Sequence, residues 1–527
     1  MNIYLVGMCI AMVVYVIVGL VVSRTVKDAN DFYVAGRQAP VLLIAGSMIA
    51  SYTSTGMFMG DAAQCYDGVF TSILIFAGMQ SAGYIIGAVF FGRYLRRSKV
   101  LTIPEFFGKR FNSRPLRILA AVTAIVMMTV YLLSVMQGIG TLMNVVTGVD
   151  YNVCITIALI VFTILTVTSG SRGVLITDTI MAGLFTFALV IATLVISGNL
   201  GGWFTAIDNL SNNSYTADML SWSGKLGPLY NTGIENVVWG LAYGVVWMSV
   251  CMVGPWQSSR YLMAKNEHAI VRSAPISAIG VFILELLVGM VAVMINTVNP
   301  DLESSHVMIW AAMNLVPRIL GVVLLTGVLS AGISSATTFL SLIGSSVAND
   351  CIHSDNKHSI GIGRIVMVIT SAIVLVVAVL NPPSIFWIMF LGGAIASSSW
   401  MPVALASIFS KRVTKTGAFC GMLFGFLGCF ALRLYASLAG VTLPVYLDPS
   451  IVGIVCNVIA MYIGSKLTQV TEEEKAAREA LFVLPEEEKN PVEIKKTLNW
   501  SKFSVSIGAI VTVGLIVLWV APYLMYK

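Results

Sequence analysis

Between residues 327 and 350 the chain reads GVLSAGISSATTFLSLIGSSVAND, and hydroxyl side chains recur through it at Ser330, Ser334, Ser335, Thr337, Thr338, Ser341, Ser345 and Ser346. At helical spacing Ser330, Ser334, Thr337, Thr338, Ser341 and Ser345 share one face. Apolar residues flank the stretch, so the stripe falls within a predicted membrane helix. Two chemistries fit it. Small hydroxyl residues let helices pack closely and bond back to their own carbonyls. Alternatively, hydroxyls together with freed backbone carbonyls offer a hard monovalent cation such as Na⁺ several oxygen ligands without trapping it by charge. The second reading requires an interrupted helix opposite.

Two interruptions are present. The segment that starts at Val41 contains Ala50-Ser51-Tyr52-Thr53-Ser54-Thr55-Gly56 at about mid-membrane, a run with almost no large aliphatic side chain and poor helix formers. The segment 237–253 contains Trp239-Gly240-Leu241-Ala242-Tyr243-Gly244. Unwound backbone at membrane depth is tolerated only where protein or a wet cavity satisfies it, and paired interruptions in two halves of a chain point to a transporter site. The two lie five predicted helices apart, an odd offset, so the second half has inverted topology. Isolated polar residues at depth add candidates: Gln80 one turn from Phe76, Gln137, and the carboxylates Asp61, Asp178 and Glu285. An intramembrane acid is costly, by about 2.5–3.5 kcal/mol on insertion scales, and is a functional candidate for that reason. Each of these also has a structural reading as a buried, hydrogen-bonded packing residue.

Composition supplies the frame. Hydrophobic residues are 57% of the 527 and charged residues 11%, and mean hydropathy is +0.88, values that exclude a soluble globular chain. About fourteen apolar segments are long enough to cross a ~30 Å hydrocarbon layer, which predicts an all-α polytopic membrane protein forming one transmembrane domain over residues 1–527. The first segment lacks a basic leader and a small-residue cleavage site, and it reads as a retained helix. With the amino terminus outside and fourteen crossings, all of the 31 Lys and Arg residues except Lys225, Arg318, Arg433 and Lys527 fall in or beside cytoplasmic loops. That bias predicts both termini outside, in a plasma (inner) membrane, and accounts for the net charge of +6 without a nucleic-acid partner. The eight cysteines have no metal-ligand spacing, and His353 and His358 are the only neighbouring histidines. Residues 471–496 mix Glu with Lys and Arg and read as a solvated cytoplasmic linker. No catalytic carboxylate pair, nucleophile with a base, phosphate-binding loop or metal cluster is visible, so an enzyme is not expected.

Several stretches resemble the sodium:solute symporter family over roughly residues 31–412: ASYTSTGMFMG (50–60) with YDG (66–68), TSGSRGVLITD (168–178), the Ile333-Ser334-Ser335 triplet followed by Asp350, and RYLMAKN (260–266). The resemblance implies a leucine-transporter-like fold. Its two inverted five-helix repeats would occupy 41–197 and 233–410, with 1–22 and 416–527 as peripheral helices. It implies a Na⁺ site from the carbonyls of Ala50, Thr53 and Ala331 and the hydroxyls of Ser334 and Ser335, and a second Na⁺ site from Asp178, Thr337, Thr338 and Ser334. Substrate is then expected beside the interrupted helices, near Ser54, Met57, Phe76, Gln80, Gln137, Trp239 and Tyr243. The sequence departs from the proline-transporting branch, whose acid in the first interrupted helix corresponds to Tyr52, and it lacks the charged residues expected of the sugar branch.

The expectation is a Na⁺-coupled symporter of a small organic solute working by alternating access, with Na⁺ as coupling ion. The pattern of YDG, Arg110 to Ile118 and Gln137 looks most like branches that carry monocarboxylates or pantothenate. Asp61 and Glu285 weigh against an anion, leaving an amino acid, amine or sugar as the alternative. A proton-coupled carrier or a transporter-like sensor are the others. Oligomeric state is not readable.

Overall fold

The computed structural model of the chain describes residues 2–23, 33–352, 356–380 and 384–526. The linker before Tyr33, His353 and the side chains of 168–174, the first seven residues of the TSGSRGVLITD motif, lie outside the described residues. The architecture is helical throughout, with one isolated backbone bridge between Ala39 and Ala264 among the described residues. Among the described residues eleven helices are long and apolar enough to cross a membrane, and three shorter apolar ones, Ile3–Val14, Val41–Tyr52 and Tyr151–Val167, accompany them.

The helices that matter for the site are α1 (Ile3–Ser23), α2 (Val41–Tyr52), α3 (Phe70–Gly87), α4 (Arg114–Thr147), α5 (Tyr151–Asn199), α6 (Gly233–Val253), α7 (Pro255–Met263), α8 (Glu267–Ile295), α9 (Arg318–Ser345) and α10 (Ile385–Ile395). Helices α11 (Lys415–Ala439) and α12 (Pro449–Lys466) pair with each other at the edge. A straight α5 of 49 residues would reach about 74 Å. Yet both of its ends lie at one end of the molecule: Asn2 donates to the Val146 carbonyl just before α5 (2.5 Å), Tyr4 to Met313 (3.3 Å) and Asn199 to Leu315 (3.0 Å). The chain therefore doubles back within α5, as two crossings, with Asp178 on the returning one.

The first interruption is where the sequence puts it. Helix α2 ends at Tyr52, Thr53 leaves helical geometry (φ −68°, ψ 50°), and helix resumes at Gly56. At Gly68 the backbone turns with φ +103° against Lys225, a conformation only glycine adopts cheaply, and α3 begins. The second interruption is elsewhere than expected. Helix α6 runs unbroken through Trp239–Gly244 and breaks at Gly254 (φ −54°, ψ 132°), where Pro255 starts α7. The glycines at 240 and 244 serve close approach instead: a Cβ at Gly240 would meet the Ser72 carbonyl at 2.9 Å, and one at Gly244 the Met79 sulfur at 2.3 Å. Proline without an N–H is favourable at a first helical turn and unfavourable within one, so Gly-Pro is the stronger breaker. Helix α7 is buried along its whole length.

The same contact continues at Gly83, where a Cβ would stand 2.5 Å from the Met248 carbonyl oxygen. Gly83→Ala is expected to destabilise by about 1–3 kcal/mol, read as a lower melting temperature, since backbone on both sides must move. Gly78→Ala, which has open space, is the control and should melt like the parent.

Residues expected only to set topology also clamp the basic end. Arg117 bonds Asp350 (2.8 Å) just past α9, Arg97 bonds Glu267 (2.5 Å), and Arg110 donates to the Ser407 and Glu474 carbonyls (2.6 and 3.0 Å). Burial pulls the Arg110 guanidinium down to about 10. Part of the 471–496 linker is accordingly docked: its helix Glu472–Ala480 starts with a Thr471–Glu474 capping box, and Glu474 is buried.

Candidate functional site

The break in α2 frees carbonyls because the backbone folds on itself. The Ser54 N–H bonds to the Tyr52 carbonyl (2.6 Å), and the Thr53 N–H to Ile49 (2.9 Å). No backbone donor reaches the Ala50 or Thr53 carbonyl among the described residues; Ala50 accepts only a long bond from the Thr53 hydroxyl (3.4 Å). Thr55, just past the break, seats between α4 and α9, where a Cβ at Gly138 would meet it at 2.6 Å and one at Gly332 at 3.3 Å. Those two glycines bring the break alongside Ala331, Ser334 and Ser335.

The hydroxyls of the α9 stripe are buried from Ser330 to Ser345, and they fall into different hydrogen-bonding roles. Ser330, Thr337 and Ser345 bond back to the carbonyls of Thr326, Ser334 and Leu342. Ser334 donates instead to the Asp178 carboxylate, and Thr338 accepts from Arg260 (3.3 Å). The Ser335 hydroxyl, buried, has no hydrogen-bond partner among the described residues.

Asp178 stands in a polar knot with Arg260 of α7. Ser47 donates to its carboxylate (2.5 Å), and Arg260 approaches the same oxygen at 3.3 Å. The guanidinium also donates to Ser47 (3.0 Å), Ser51 (2.5 Å) and the Trp256 carbonyl. Both charged side chains are at most 1% exposed. Three of the residues implied for a second Na⁺ are thus occupied in this conformation: Asp178 and Thr338 by Arg260, and Thr337 by its own helix. A cavity of about 30 Å³ lined by Ser47, Arg260, Thr338 and Ser341 leads from the knot toward Thr102 and Tyr33.

Of the residues expected around substrate, Ser54, Phe76 and Gln80 come together. They surround Tyr52, Tyr131 and Trp247: Trp247 packs edge-on to Tyr52 (5.8 Å) and Tyr131 (6.1 Å) and tilts over Phe76 (6.4 Å), while Tyr52 adjoins Gln80 and Tyr131 adjoins Ser54. The Tyr52 and Tyr243 hydroxyls, the Trp247 indole N–H and both amide atoms of Gln80 are buried with no hydrogen bond of normal geometry among the described residues. Met57 is buried on the resumed helix. Trp239 and Tyr243 form a cover: Tyr243 stacks on Phe390 at 3.7 Å and on Phe386 at 5.6 Å, with Trp239 against Tyr243 at 3.9 Å. Gln137 accepts the Ser384 N–H (3.0 Å) and holds the approach to α10. Beyond the cover, a cleft of about 730 Å³ is lined by Gly60, Asp67, Asn144, Glu303, His306 and Phe386.

Sequence reasoning passed over Tyr131, Trp247, Arg260, Phe386 and Phe390 as site residues. Trp247 had a signal, one turn from Tyr243 on the same helix face. Arg260 had none beyond its motif, because its partner Asp178 is remote in the chain.

The family model described as the sodium:solute symporter family matches residues 32–425. The sodium/proline symporter of Escherichia coli (strain K12) is 26% identical over 449 residues, 80% of this chain and 86% of that protein. A sodium/proline symporter of Staphylococcus aureus is 25% identical over 487 residues, 87% and 92% of the two chains. The osmoregulated proline transporter OpuE of Bacillus subtilis (strain 168) is 25% identical over 444 residues, 80% and 87%. Among solved structures, a substrate-bound, outward-open Na⁺-coupled sialic acid symporter superposes with a TM-score of 0.73 at 17% identity, over 89% of this chain and 99% of that one. A nucleobase-cation-symport-1 family transporter in a closed conformation gives 0.56 at 12% identity, over 86% and 99%. These likenesses give the fold, which is that of the leucine-transporter-like carriers, with the interrupted α2 set against the hydroxyl helix. With the family model covering most of its length, the chain belongs to the sodium:solute symporter family.

Proposed function

We propose that this Na⁺-coupled solute symporter carries proline or a small zwitterion closely like it, by alternating access. The observation that carries the reading is the cluster of buried aromatic and unpartnered polar side chains under the aromatic cover. Phe76, Tyr131 and Trp247 give it apolar faces, while Tyr52, Gln80, Tyr243 and Trp247 supply donors and acceptors with no hydrogen-bond partner of normal geometry among the described residues. Buried groups left unmade cost about 1–3 kcal/mol each, and a solute that bonds them recovers that. The relatives named above carry proline in their names, which moves the reading away from the monocarboxylate or pantothenate suggested by the loop pattern. Charge argues the same way, since Arg260 is committed to Asp178 and the carboxyls of Asp61 and Glu285 stand next to Tyr52. Tyr52 replaces the acid of the proline branch, so the solute's ammonium would find a different partner here.

The coupling ion would sit between the carbonyls of Ala50, Thr53 and Ala331 and the hydroxyls of Ser334 and Ser335. A second ion at Asp178, Thr337 and Thr338 would require Arg260 to withdraw. With the basic end cytoplasmic, both termini fall outside the cell membrane. About 100 mV on one charge gives ~2.3 kcal/mol and a tenfold Na⁺ gradient ~1.4 kcal/mol more, enough for roughly 500-fold accumulation of a neutral solute.

Proline is expected to raise the melting temperature of the purified chain in Na⁺ and not in K⁺, and labelled proline to accumulate in liposomes only under a Na⁺ gradient. Stabilisation by a monocarboxylate or pantothenate in its place overturns the zwitterion. Uptake unchanged when choline replaces Na⁺ overturns Na⁺ coupling.

A further inference from the structure

Inside the bundle, apart from the Asp178–Arg260 knot, two carboxyl groups stand together without a countercharge among the described residues. Asp61 ends the segment Gly56–Asp61, and Glu285 lies midway along α8; each is 1% exposed. None of their four carboxyl oxygens has a hydrogen-bond partner among the described residues. The two carboxyls adjoin each other, and both adjoin the Tyr52 hydroxyl, which adjoins Gln80. That hydroxyl and both amide atoms of Gln80 are themselves buried and unpartnered. Four polar side chains from α2, the resumed helix, α3 and α8 thus converge on one point.

No positive charge meets them there among the described residues. The other titratable groups facing the pair are Cys65 and Tyr131, with Cys251 of α6 facing Tyr52. On α3, Tyr84 is turned to the Met48 carbonyl (3.5 Å). On α5, Asp178 is paired with Arg260. Two adjacent carboxylates taken out of water repel each other and lose hydration, so such a pair keeps a proton or takes a cation. The closeness of the two carboxyls favours the proton, the smallest occupant. Neither group lines the 730 Å³ cleft or the 30 Å³ cavity.

We propose that Asp61 and Glu285 share one proton in the closed bundle and release it when the cleft beyond the aromatic cover opens, adding a proton-linked step to Na⁺ coupling. The route is short. Gly60, next to Asp61, packs on the backbone of Phe386, where a Cβ would meet the Cα at 3.4 Å, and Met59, Gly60, Ala63 and Gln64 line the cleft. Withdrawal of α10 with Phe386 admits water to Asp61. The carboxyl O–H bond then breaks, the proton passes to cleft water, and the second negative charge is hydrated; closure reverses each step. This rests on the alternating-access reading above.

The infrared spectrum of the purified full-length chain tests the shared proton without any solute. A carbonyl stretch from a protonated carboxyl is expected in the parent and lost in the Asp61→Asn/Glu285→Gln double variant. An identical band in both overturns the shared proton. In liposomes trapping a pH-sensitive dye, with an inward Na⁺ gradient and proline as probe, uptake by the parent chain is expected to bring a dye change. Na⁺-driven uptake with a silent dye overturns the release step, and this arm needs no variant to fold. If proline is not carried, uptake itself is absent while the infrared result stands, so the two readings fail separately.

Discussion

Exchange of Arg260 for Met is expected to lower stability by about 3–5 kcal/mol, because it strands the Asp178 carboxylate in the bundle with no countercharge. Ser47 and Ser334 would still donate to it, but two neutral hydroxyls do not offset a buried charge. Asp178→Asn strands the guanidinium in turn and should cost a similar amount. The double variant Arg260→Met/Asp178→Asn removes both charges and should recover most of the loss, since a buried ion pair adds little net stability over neutral groups of similar volume. A melting cycle over the four proteins reads this directly. Additive losses would mean that the two side chains act independently and that the contact is incidental. The cycle also separates structure from coupling: if Asp178 serves a second ion once Arg260 withdraws, the double variant folds yet moves fewer Na⁺ per solute, whereas a purely structural knot leaves the flux ratio unchanged.

That knot marks where the sequence stops being readable. The break at Thr53 was visible because its cause is local, a run of poor helix formers without apolar bulk. The break at Gly254 is local too, but Trp239–Gly244 carries the same glycine signal, and composition alone does not separate a glycine that ends a helix from one that lets a neighbour approach. Gly240 and Gly244 are the second kind, and only the presence of Ser72 and Met79 opposite decides it. The hydroxyl stripe was legible as a stripe. Its division into back-bonded, Asp178-bonded and unpartnered hydroxyls was not, because that depends on which helix faces each turn of α9. Arg260 was the largest omission, since a basic residue near a loop reads as a topology signal until its partner is known. The aromatic cover has the same character, with Phe386 and Phe390 unremarkable on an apolar helix until Tyr243 lies flat against them.

Ser335→Ala should leave the Na⁺-free protein as stable as its parent or slightly more so, and remove much of the stabilisation that Na⁺ confers. The hydroxyl is buried and unpartnered, so deleting it relieves an unmade hydrogen bond worth about 1–3 kcal/mol without leaving a new orphan. In Na⁺ the balance reverses. A protein at about a hundredfold its dissociation constant gains ~2.7 kcal/mol from the ion, and loss of one oxygen ligand is expected to raise the half-saturating Na⁺ concentration tenfold or more, worth ~1.4 kcal/mol. Ser334→Ala behaves differently, because Ser334 also donates to Asp178; it should lose stability with and without Na⁺. Melting curves of the three proteins in Na⁺ and in K⁺ therefore distinguish a ligand from a packing residue at adjacent positions of one helix. If Ser335→Ala keeps the parent's full Na⁺-dependent shift, its hydroxyl is no ligand. The stripe on α9 then reverts to what small residues provide in any membrane bundle, a surface on which helices pack closely.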